Sequence, residues 1–567
     1  MNDSRRSATP HAPWRPLVAA ATLALALTAC GANDPAPAAS SASDTSAFEQ
    51  GGTLTILTSA TDINWDPAKS QNLATTTLGL VERRLTTWAV QPGEPAEVVP
   101  DLATDTGTVS DDGATWTYTL KDGIKFEDGS LITSADIKYG IERSFAPELS
   151  GGLGYHKSLL VGGDDYAGPY NGADLTSIET PDDSTIVFHL VSAYGDWPWI
   201  VSQPAFAPVP QAQDDVATYT RQPVASGPYR VAESQQGVSV TLERNENWDP
   251  ATDDVRTAGP DSIVFSLGQD ATVTAQRLIA DSGEDKFAFS ATFVPPAQLA
   301  QAAKSASASS RLVTSDAGAL AYLAINTERP GLDNVAVRQA IEYAVDKQSF
   351  LVASGGETGG QIATTLITPG IAGREEFDLY EAPATGDVDK AKALLAESGW
   401  TPDRELVLLS ADDQVSLSQA QAIEQGLERA GLSVTIKSEA DAAVTETLTQ
   451  GPGDFDLTIS SWQPDFPSAS GNLQPLFDSS QIGNGGYNLS RYANPDVDGL
   501  IAQATEEVDA TTAGTIWAQA DRAILADAPV VPLIYTRNSF LHGSGVANFF
   551  IPAFPAYPNY LKVSLIQ

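Results

Sequence analysis

The sequence predicts an α/β protein with more than one compact unit. A chain of 567 residues is too long for a single hydrophobic core, so two or three units are expected. Between residues 321 and 535, strand-like and helix-like patterns alternate, which is typical of an α/β domain. Before that region, Asp122-Gly123 and Asp128-Gly129 each separate two apolar runs, and such pairs are a strong signal for β-hairpins.

The N-terminus has the pattern of a secretory signal peptide. Arg5, Arg6 and Arg15 supply positive charge, and an apolar run rich in Ala and Leu follows at residues 17–27. This run is too short to span a bilayer as a permanent helix. Residues 1–29 are therefore predicted to be a signal peptide, which directs the protein out of the cytoplasm.

Cys30, the only cysteine in the chain, lies where the signal peptide would be cleaved. Residues 27–31 (LTACG) resemble a bacterial lipobox, in which the cysteine is lipidated after cleavage. Residues 30–46 are predicted to be a lipid anchor and a flexible tether, because they are rich in Ala, Pro and Ser and lack apolar periodicity. A lipid and a tether would hold the folded part on the outer face of a membrane.

Composition argues against several classes of function. The 72 acidic and 32 basic residues give a formal net charge of −40, which disfavours binding to nucleic acid or to an anionic lipid surface. Only four histidines and one methionine are present, so neither a metal site nor another cofactor is predicted. The sequence contains no Gly-x-Ser-x-Gly, His-Glu-x-x-His or Gly-rich phosphate loop. An enzyme is therefore not predicted, and a secreted hydrolase is a disfavoured alternative.

The hydrophobic pattern of the first half predicts mainly strands. They are expected at residues 52–57, 115–120, 184–190, 223–230, 238–244 and 263–267. Helices are expected at residues 73–85, 133–145 and 272–280. The second of these helices has a specific start signal, because Thr133 and Asp136 have the spacing of a capping box.

The second half has the alternation of an α/β domain. Strands are expected at residues 321–325, 433–436, 455–459 and 529–535. Helices are expected at residues 296–309, 335–345, 387–398, 416–430, 496–508 and 515–526. Gly399 should end the helix at 387–398, because glycine adopts the left-handed conformation that closes many helices.

The loop after the strand at 455–459 is a candidate binding loop. It reads Trp462-Gln463-Pro464-Asp465-Phe466-Pro467, and its two prolines stiffen the backbone around Asp465. A carboxylate held between aromatic residues after a strand is well placed to receive a cationic group in a cleft. The alternative is that Asp465 caps the next helix or turn and that Trp462 packs in the core.

Several segments together resemble the family 5 solute-binding proteins of ABC importers, which bind peptides, oligopeptides or nickel. The resemblance extends from about residue 52 to the C-terminus. It is carried by Asp111-Asp112-Gly113, Lys121-Asp122-Gly123-Ile124-Lys125-Phe126, Thr133-Ser134-Ala135-Asp136, Ser226-Gly227-Pro228-Tyr229, Val337-Arg338-Gln339-Ala340-Ile341 and the loop around Asp465. The chain departs from the family pattern at Ala225-Ser226, where relatives have Gly-Thr, and at Ser468, where an acidic residue often follows the proline.

The resemblance implies a two-lobe α/β fold like that of periplasmic binding proteins (type II, cluster C), with an extra subdomain inserted in the first lobe. Lobe I would comprise residues 47–85, 222–318 and 536–567. The inserted subdomain would comprise residues 86–221 and lobe II residues 319–535. Such proteins close around their ligand by a hinge motion.

The resemblance also assigns roles to individual residues. In peptide-binding relatives, the aspartate at the position of Asp465 receives the α-ammonium group of the peptide, and Trp462 would form a wall of the cleft. Tyr487 and Asn488 are candidates for the cleft, with a structural turn as an equal alternative. Trp65 is a candidate from the first lobe, with packing in the core as its alternative.

The function implied by the resemblance is capture of extracellular peptides, from dipeptides to oligopeptides, and their delivery to the permease and ATPase subunits of an ABC importer. The protein would act as a monomer held at the membrane by Cys30. An oligosaccharide receptor of the same family is the alternative, because the 10 tryptophans could form sugar-binding surfaces. The scarcity of Lys and the usage of Ala, Asp and Thr suggest an actinobacterial source.

Overall fold

The computed structural model describes residues 51–566, apart from residues 317, 402–404, 451–452 and 484. The predicted signal peptide, the tether and Cys30 lie outside the described residues. Within the described part, no helix is both long enough and apolar enough to cross a membrane.

The structure contains most of the predicted strands close to their expected positions, together with others that were not predicted. In chain order they are β1 (Thr53–Leu57), β2 (Thr86–Ala89), β3 (Glu97–Pro100), β4 (Thr108–Val109), β5 (Thr115–Thr119), β6 (Ile178–Asp182), β7 (Thr185–His189), β8 (Tyr229–Gln235), β9 (Ser239–Arg244), β10 (Ser262–Ser266), β11 (Ala288–Ser290), β12 (Leu312–Thr314), β13 (Leu320–Ile325), β14 (Gly360–Ile362), β15 (Leu406–Ala411), β16 (Val434–Glu439), β17 (Leu457–Trp462), β18 (Val530–Thr536), β19 (Ser539–Leu541), β20 (Val546–Ala547) and β21 (Ser564–Leu565).

The helices are concentrated in the second half of the chain, as predicted. In chain order they are α1 (Ser134–Arg143), α2 (Tyr155–Leu159), α3 (Trp197–Ile200), α4 (Ala271–Ala280), α5 (Pro296–Lys304), α6 (Val335–Ala344), α7 (Lys347–Ala353), α8 (Val388–Ser398), α9 (Gln414–Arg429), α10 (Asp441–Thr449), α11 (Ala469–Phe477), α12 (Pro495–Glu506) and α13 (Ala510–Asp527).

Three larger sheets organise these elements. A five-stranded sheet has the order β11-β1-β10-β9-β8, in which β1 runs parallel to both β10 and β11. A four-stranded antiparallel sheet, β4-β5-β7-β6, comes from the hairpin-rich part of the chain. A six-stranded mixed sheet, β14-β18-β13-β17-β15-β16, comes from the alternating part. The boundaries of the two lobes and of the inserted subdomain stay a prediction.

Local signals account for the ends of several helices. The carboxylate of Asp136 accepts hydrogen bonds from the backbone N–H of Thr133 at 2.8 Å and from its hydroxyl at 2.7 Å, so the predicted capping box is present at α1. Helix α8 ends at Gly399, whose φ of 73° is the left-handed conformation that glycine adopts without steric cost.

Two predicted elements are wrong. The helix expected at residues 73–85 is only a single 3₁₀ turn at Leu78–Leu80, because the apolar residues of this stretch serve two different cores and do not form one helical face. The strand expected at 223–230 begins only at Tyr229. The backbone N–H groups of Ser226 and Gly227 instead donate to the carbonyl of Val81 at 3.0 and 2.7 Å, which holds this stretch as a turn.

A buried ion network fixes the segment around residue 83 to the segment around residue 253. Asp101 pairs with Arg83 at 2.7 Å and with Arg256 at 3.0 Å, and all three side chains are at most 2% exposed. Arg256 also pairs with Asp253 at 3.1 Å. Burial alone would raise the pKa of Asp253, but Arg256 and Arg83 outweigh it and hold that pKa below its usual range.

We expect Asp101→Ala to destabilise the protein by about 3–5 kcal/mol, because it removes the carboxylate that two buried guanidinium groups share. The free energy of unfolding can be measured by urea denaturation. Asp111→Ala is the matched control, since Asp111 lies exposed in a turn, and it should change that free energy by less than about 0.5 kcal/mol. Equal effects of the two substitutions would contradict the assignment.

Candidate ligand-binding site

The candidate loop joins β17 to α11. Strand β17 ends at Trp462, and α11 begins at Ala469 with Ser468 as its N-cap, whose hydroxyl accepts from the backbone N–H of Ser470. Asp465 therefore does not cap the helix. The serine performs that role, and the aspartate is left available for another partner.

Asp465 faces a cavity of about 500 Å³, which is within the usual size range of small-molecule sites. One wall comes from α2 and its surroundings, the other from the candidate loop, α11 and the turn after it. The lining residues are Gln71, Leu153, Tyr155, Ser158, Leu159, Tyr194, Trp462, Gln463, Asp465, Gln474, Pro475, Gln481 and Tyr487. Among these described residues, Asp465 is the only charged side chain.

The carboxylate of Asp465 is paired with a neutral donor. The hydroxyl of Tyr155 donates to its Oδ2 at 2.6 Å, and no Lys, Arg or His of the described part forms an ion pair with it. Burial raises the pKa of Asp465, and the hydrogen bond from Tyr155 only partly offsets this effect. Burial and the nearby carboxylate raise the pKa of Tyr155 in turn, so the phenol stays neutral and continues to donate.

Aromatic rings line the cavity beside this carboxylate. The rings of Trp462 and Tyr487 lie 4.9 Å apart between centroids, and the indole N–H of Trp462 donates to the carbonyl of Gly471 at 2.7 Å. On the other side, Tyr155 packs edge to face on Phe466 at 5.5 Å. Trp462 is thus fixed in place, whereas Tyr487, which is 47% exposed, lies at the edge of the cavity.

A second carboxylate, that of Asp196, joins the two walls. It accepts hydrogen bonds from the hydroxyl of Ser468 at 2.6 Å and from the hydroxyl of Ser470 at the start of α11. Burial raises the pKa of Asp196, while the two serine hydroxyls partly offset that rise. Ser468 therefore suits this contact, since an acidic residue at its position would be repelled by Asp196.

The structure corrects two of the predicted ligand contacts. Trp65 is 0% exposed and packs edge to face on Phe265 at 5.9 Å, so it belongs to the core and not to the cavity. Asn488 is 2% exposed, and its amide donates to the carbonyls of Asp478 and Tyr492 at 3.1 and 2.8 Å. Because these bonds occupy its amide N–H groups, Asn488 is a structural turn residue.

Sequence reasoning missed Tyr155 and the glutamines of the cavity. Tyr155 begins a helix of five residues and is separated from Asp465 by 310 positions, so no local pattern links the two. Gln71 is distant from the candidate loop in sequence, Gln474 and Gln481 lie in α11 and the turn after it, and glutamine carries no motif signal of its own. Within the described residues, no group of three or more His, Cys, Asp or Glu side chains could hold a metal ion.

Comparison with known proteins gives consistent matches in sequence. The family model of "Bacterial extracellular solute-binding proteins, family 5 Middle" matches residues 97–484. The glutathione-binding protein GsiB of Salmonella typhi is 26% identical over 457 residues, which cover 78% of this chain and 82% of GsiB. GsiB of Escherichia coli O157:H7 is 26% identical over 458 residues with the same coverage.

Solved structures of similar fold cover almost the whole chain. The clavulanic acid biosynthesis oligopeptide binding protein 2 superposes with a TM-score of 0.83 and 33% identity, over 92% of this chain and 96% of that one. The oligopeptide-binding protein AppA from Bacillus subtilis, in complex with a nonapeptide, has a TM-score of 0.63 and 22% identity over 92% and 100% of the two chains. These likenesses confirm the predicted two-lobe fold class.

We expect Asp465→Asn to stabilise the ligand-free protein at pH 7. A carboxyl whose pKa is raised by folding costs stability while it is ionised, and this cost disappears as the pH falls through the raised pKa. Asparagine keeps an oxygen that can accept from Tyr155. The melting temperature, measured by calorimetry on protein that has been unfolded and refolded to remove ligand, should rise by about 1–2 °C at pH 7 and by less at pH 4. A lower melting temperature at pH 7, relative to an Asp111→Asn control, would contradict this prediction.

Proposed function

The chain belongs to the bacterial extracellular solute-binding proteins of family 5, and from this premise we propose that it captures extracellular peptides for an ABC importer. Di- to oligopeptides would bind with their α-ammonium group at Asp465 and be delivered to the permease and ATPase subunits. The proposal is that of a binding protein, not an enzyme. The observation that carries it is a largely buried carboxylate, facing a cavity, that no cation of the described residues neutralises.

The chemistry of this carboxylate favours an ammonium ligand. Burying an ionised group away from water without a partner costs free energy. A group of opposite charge that binds with hydrogen-bond geometry offsets this cost. Tyr155 holds one carboxylate oxygen, so the ligand needs only to approach the remaining face. Trp462 and Tyr487 line the same cavity and would exclude water from the pair.

The rest of the cavity suits a peptide backbone. Four glutamines line it, Gln71, Gln463, Gln474 and Gln481, and a side-chain amide can both donate to a carbonyl and accept from an N–H group. Because no further charge lines this cavity within the described residues, ligand side chains would be selected weakly by charge. The names of two relatives, an oligopeptide binding protein and a glutathione-binding protein, support a peptide ligand.

The location follows from the N-terminal pattern. We propose that the protein is lipidated at Cys30, tethered by residues 30–46 to the outer face of the cytoplasmic membrane, and active there as a monomer. The family description supports an extracellular place of action. An actinobacterial source, for which composition is the support, belongs to the same proposal.

An oligosaccharide is the second candidate ligand. The adjacent Trp462 and Tyr487 rings, which are tilted by 51° to one another beside glutamine amides, offer aromatic surface on which a sugar ring could pack. A neutral sugar would leave the carboxylate of Asp465 without a cation, which makes this candidate weaker than a peptide. Cello- and xylo-oligosaccharides are therefore the comparison ligands for the binding measurement below.

We expect the refolded protein, from residue 47 onward, to bind a mixed tri- to pentapeptide pool with free amino ends. N-acetylation of the pool, or Asp465→Asn, should each weaken binding at least about 100-fold, because either change removes one charge of a buried pair. Isothermal titration calorimetry measures both effects, and the exposed Asp111→Asn serves as control. A heat of binding with the sugars and with neither peptide pool would establish the second candidate. Equal heats of binding with the free-amine and the N-acetylated pool would exclude Asp465 as the partner of the α-ammonium group.

The same pair predicts a pH dependence. Since the pKa of Asp465 is raised in the free protein, protonation of the carboxyl should weaken peptide binding as the pH falls through that raised value, by up to about tenfold per pH unit. Above about pH 8 the α-amino group loses its proton, and affinity should fall again. Titrations between pH 4 and 9 should thus give a bell-shaped profile. Asp465→Asn should lose the acid limb, and an acid limb that survives in this variant would exclude Asp465 as its origin.

A further inference from the structure

We propose that a second, smaller cavity next to the first binds the carboxylate of the same ligand, with Lys69 as its cationic partner. This inference rests on the proposed function, because it gives a second anchor to the peptide held at Asp465. It narrows the ligand class to peptides with both a free amino end and a free carboxylate. The two cavities are named here the ammonium cavity, which contains Asp465, and the lysine cavity, which contains Lys69.

The lysine cavity lies at the carboxyl ends of parallel strands. It has a volume of about 280 Å³ and is lined by Thr58, Ala60, Asp62, Ile63, Asn64, Lys69, Ser70, Gln71, Asn72, Thr77, Phe265, Ala291 and Tyr560. Thr58 directly follows β1, and Ala291 directly follows β11, which runs parallel to β1. Crevices outside the carboxyl ends of strands in open α/β sheets are common ligand sites.

A single side chain lies between the two cavities. Gln71 lines both of them, and its amide donates to the carbonyl of Gly151 at 3.0 Å. Leu153, another lining residue of the ammonium cavity, donates its backbone N–H to the carbonyl of Ser70 at 3.4 Å. A ligand that extends past Gln71 would therefore pass from one cavity into the other.

Lys69 is a cation without a partner in the described part of the chain. It ends the short turn Pro67–Lys69, is half-buried, and forms no ion pair with the described residues. Its neighbour Asp66 is not available to it, since both oxygens of Asp66 accept from Arg143 at 2.9 and 3.1 Å. Lys69 therefore brings to the lysine cavity a positive charge that no acidic side chain of the described residues neutralises within ion-pair distance.

The other charged residue of the lysine cavity is Asp62. It is exposed to solvent and does not pair with Lys69, so its field is screened by water more strongly than that of the half-buried lysine. The remaining wall is mainly neutral, with Phe265 and Tyr560 among its apolar members. An anionic ligand group is therefore the one that this cavity favours.

Size and charge together give the ligand a direction. A volume of about 280 Å³ falls just below the range of complete small-molecule sites, which suits one end of a longer ligand. The ammonium cavity offers a carboxylate and, among its described lining residues, no cation. The amino end of a peptide would thus lie at Asp465 and its carboxylate at Lys69. The reversed orientation would be unfavourable, because it would place the ammonium group beside Lys69 and the carboxylate beside Asp465.

The test compares random tri-, tetra- and pentapeptide pools prepared as free acids and as C-terminal amides. Affinities are measured by calorimetry for the wild type, Lys69→Gln, Lys69→Arg and Asp465→Asn, with the exposed Lys304→Gln as a matched control. We expect wild-type protein to prefer the acid over the amide by about 10- to 100-fold for at least one peptide length. Lys69→Gln should remove this preference without weakening the amide, and Lys69→Arg should retain it.

The outcomes separate the two proposals. If the wild type and Lys69→Gln bind acids and amides equally, while Asp465→Asn abolishes binding of both, the lysine cavity has no role and the proposed function stands. If Asp465→Asn binds like the wild type, or if no pool binds, the proposed function fails and the inference fails with it. A loss of acid preference in Lys304→Gln as well would also overturn the assignment, because the effect would then come from net charge.

Discussion

The constraint on which this structure depends is that a buried carboxylate needs a counter-charge. Most of the buried acids meet it within the chain: Asp66 is paired with Arg143, and Asp101 with Arg83 and Arg256. Asp465 does not, because its partner is the neutral hydroxyl of Tyr155, and it differs from Asp196, which is held by two serine hydroxyls, in that it lines the cavity. An acid that folding leaves without a cation, at the wall of a cavity, costs stability that an arriving cation would restore. The functional proposal grows from this difference between otherwise similar aspartates.

The position of the site depends on long-range packing. Tyr155 and Asp196 come from one part of the chain and meet residues of the loop and helix near 465–470, more than 270 positions away. The ammonium cavity is lined by residues of both walls. Both contacts use carboxylates whose pKa burial raises, so burying these carboxylates between the walls and ionising them oppose one another in the absence of a cation. A bound ammonium would offset the burial cost at Asp465 and would thereby strengthen the contact between the walls.

The sequence predicts elements of the fold well where they depend on hydrophobic periodicity and on the residues at turns and helix ends. Strands β1, β5, β10 and β13 and helix α1 lie within two residues of their expected ends, since alternation and the capping box need only neighbouring residues. The helix expected at 73–85 is wrong because two separate cores divide its apolar residues, which is information about packing. The loop around Asp465 could be found from its prolines and aromatics together with the family resemblance. Tyr155 could not, and the sequence could not decide between the cavity and the core for Trp65, because the burial of an isolated aromatic residue depends on residues distant in sequence.

The charges of the two cavities also bear on selectivity. A ligand held by its amino end and, as inferred, by its carboxylate is recognised through groups that all unmodified peptides share. The glutamine amides between those ends can serve any backbone, whereas charged side chains on the wall would have favoured particular residues. Selectivity would then come from length, because the separation of Asp465 and Lys69 is a property of the fold and an extended peptide grows by about 3.3–3.6 Å per residue. A receptor built in this way distinguishes peptides by how many residues fit between its two charges, and tolerates variation in what those residues are.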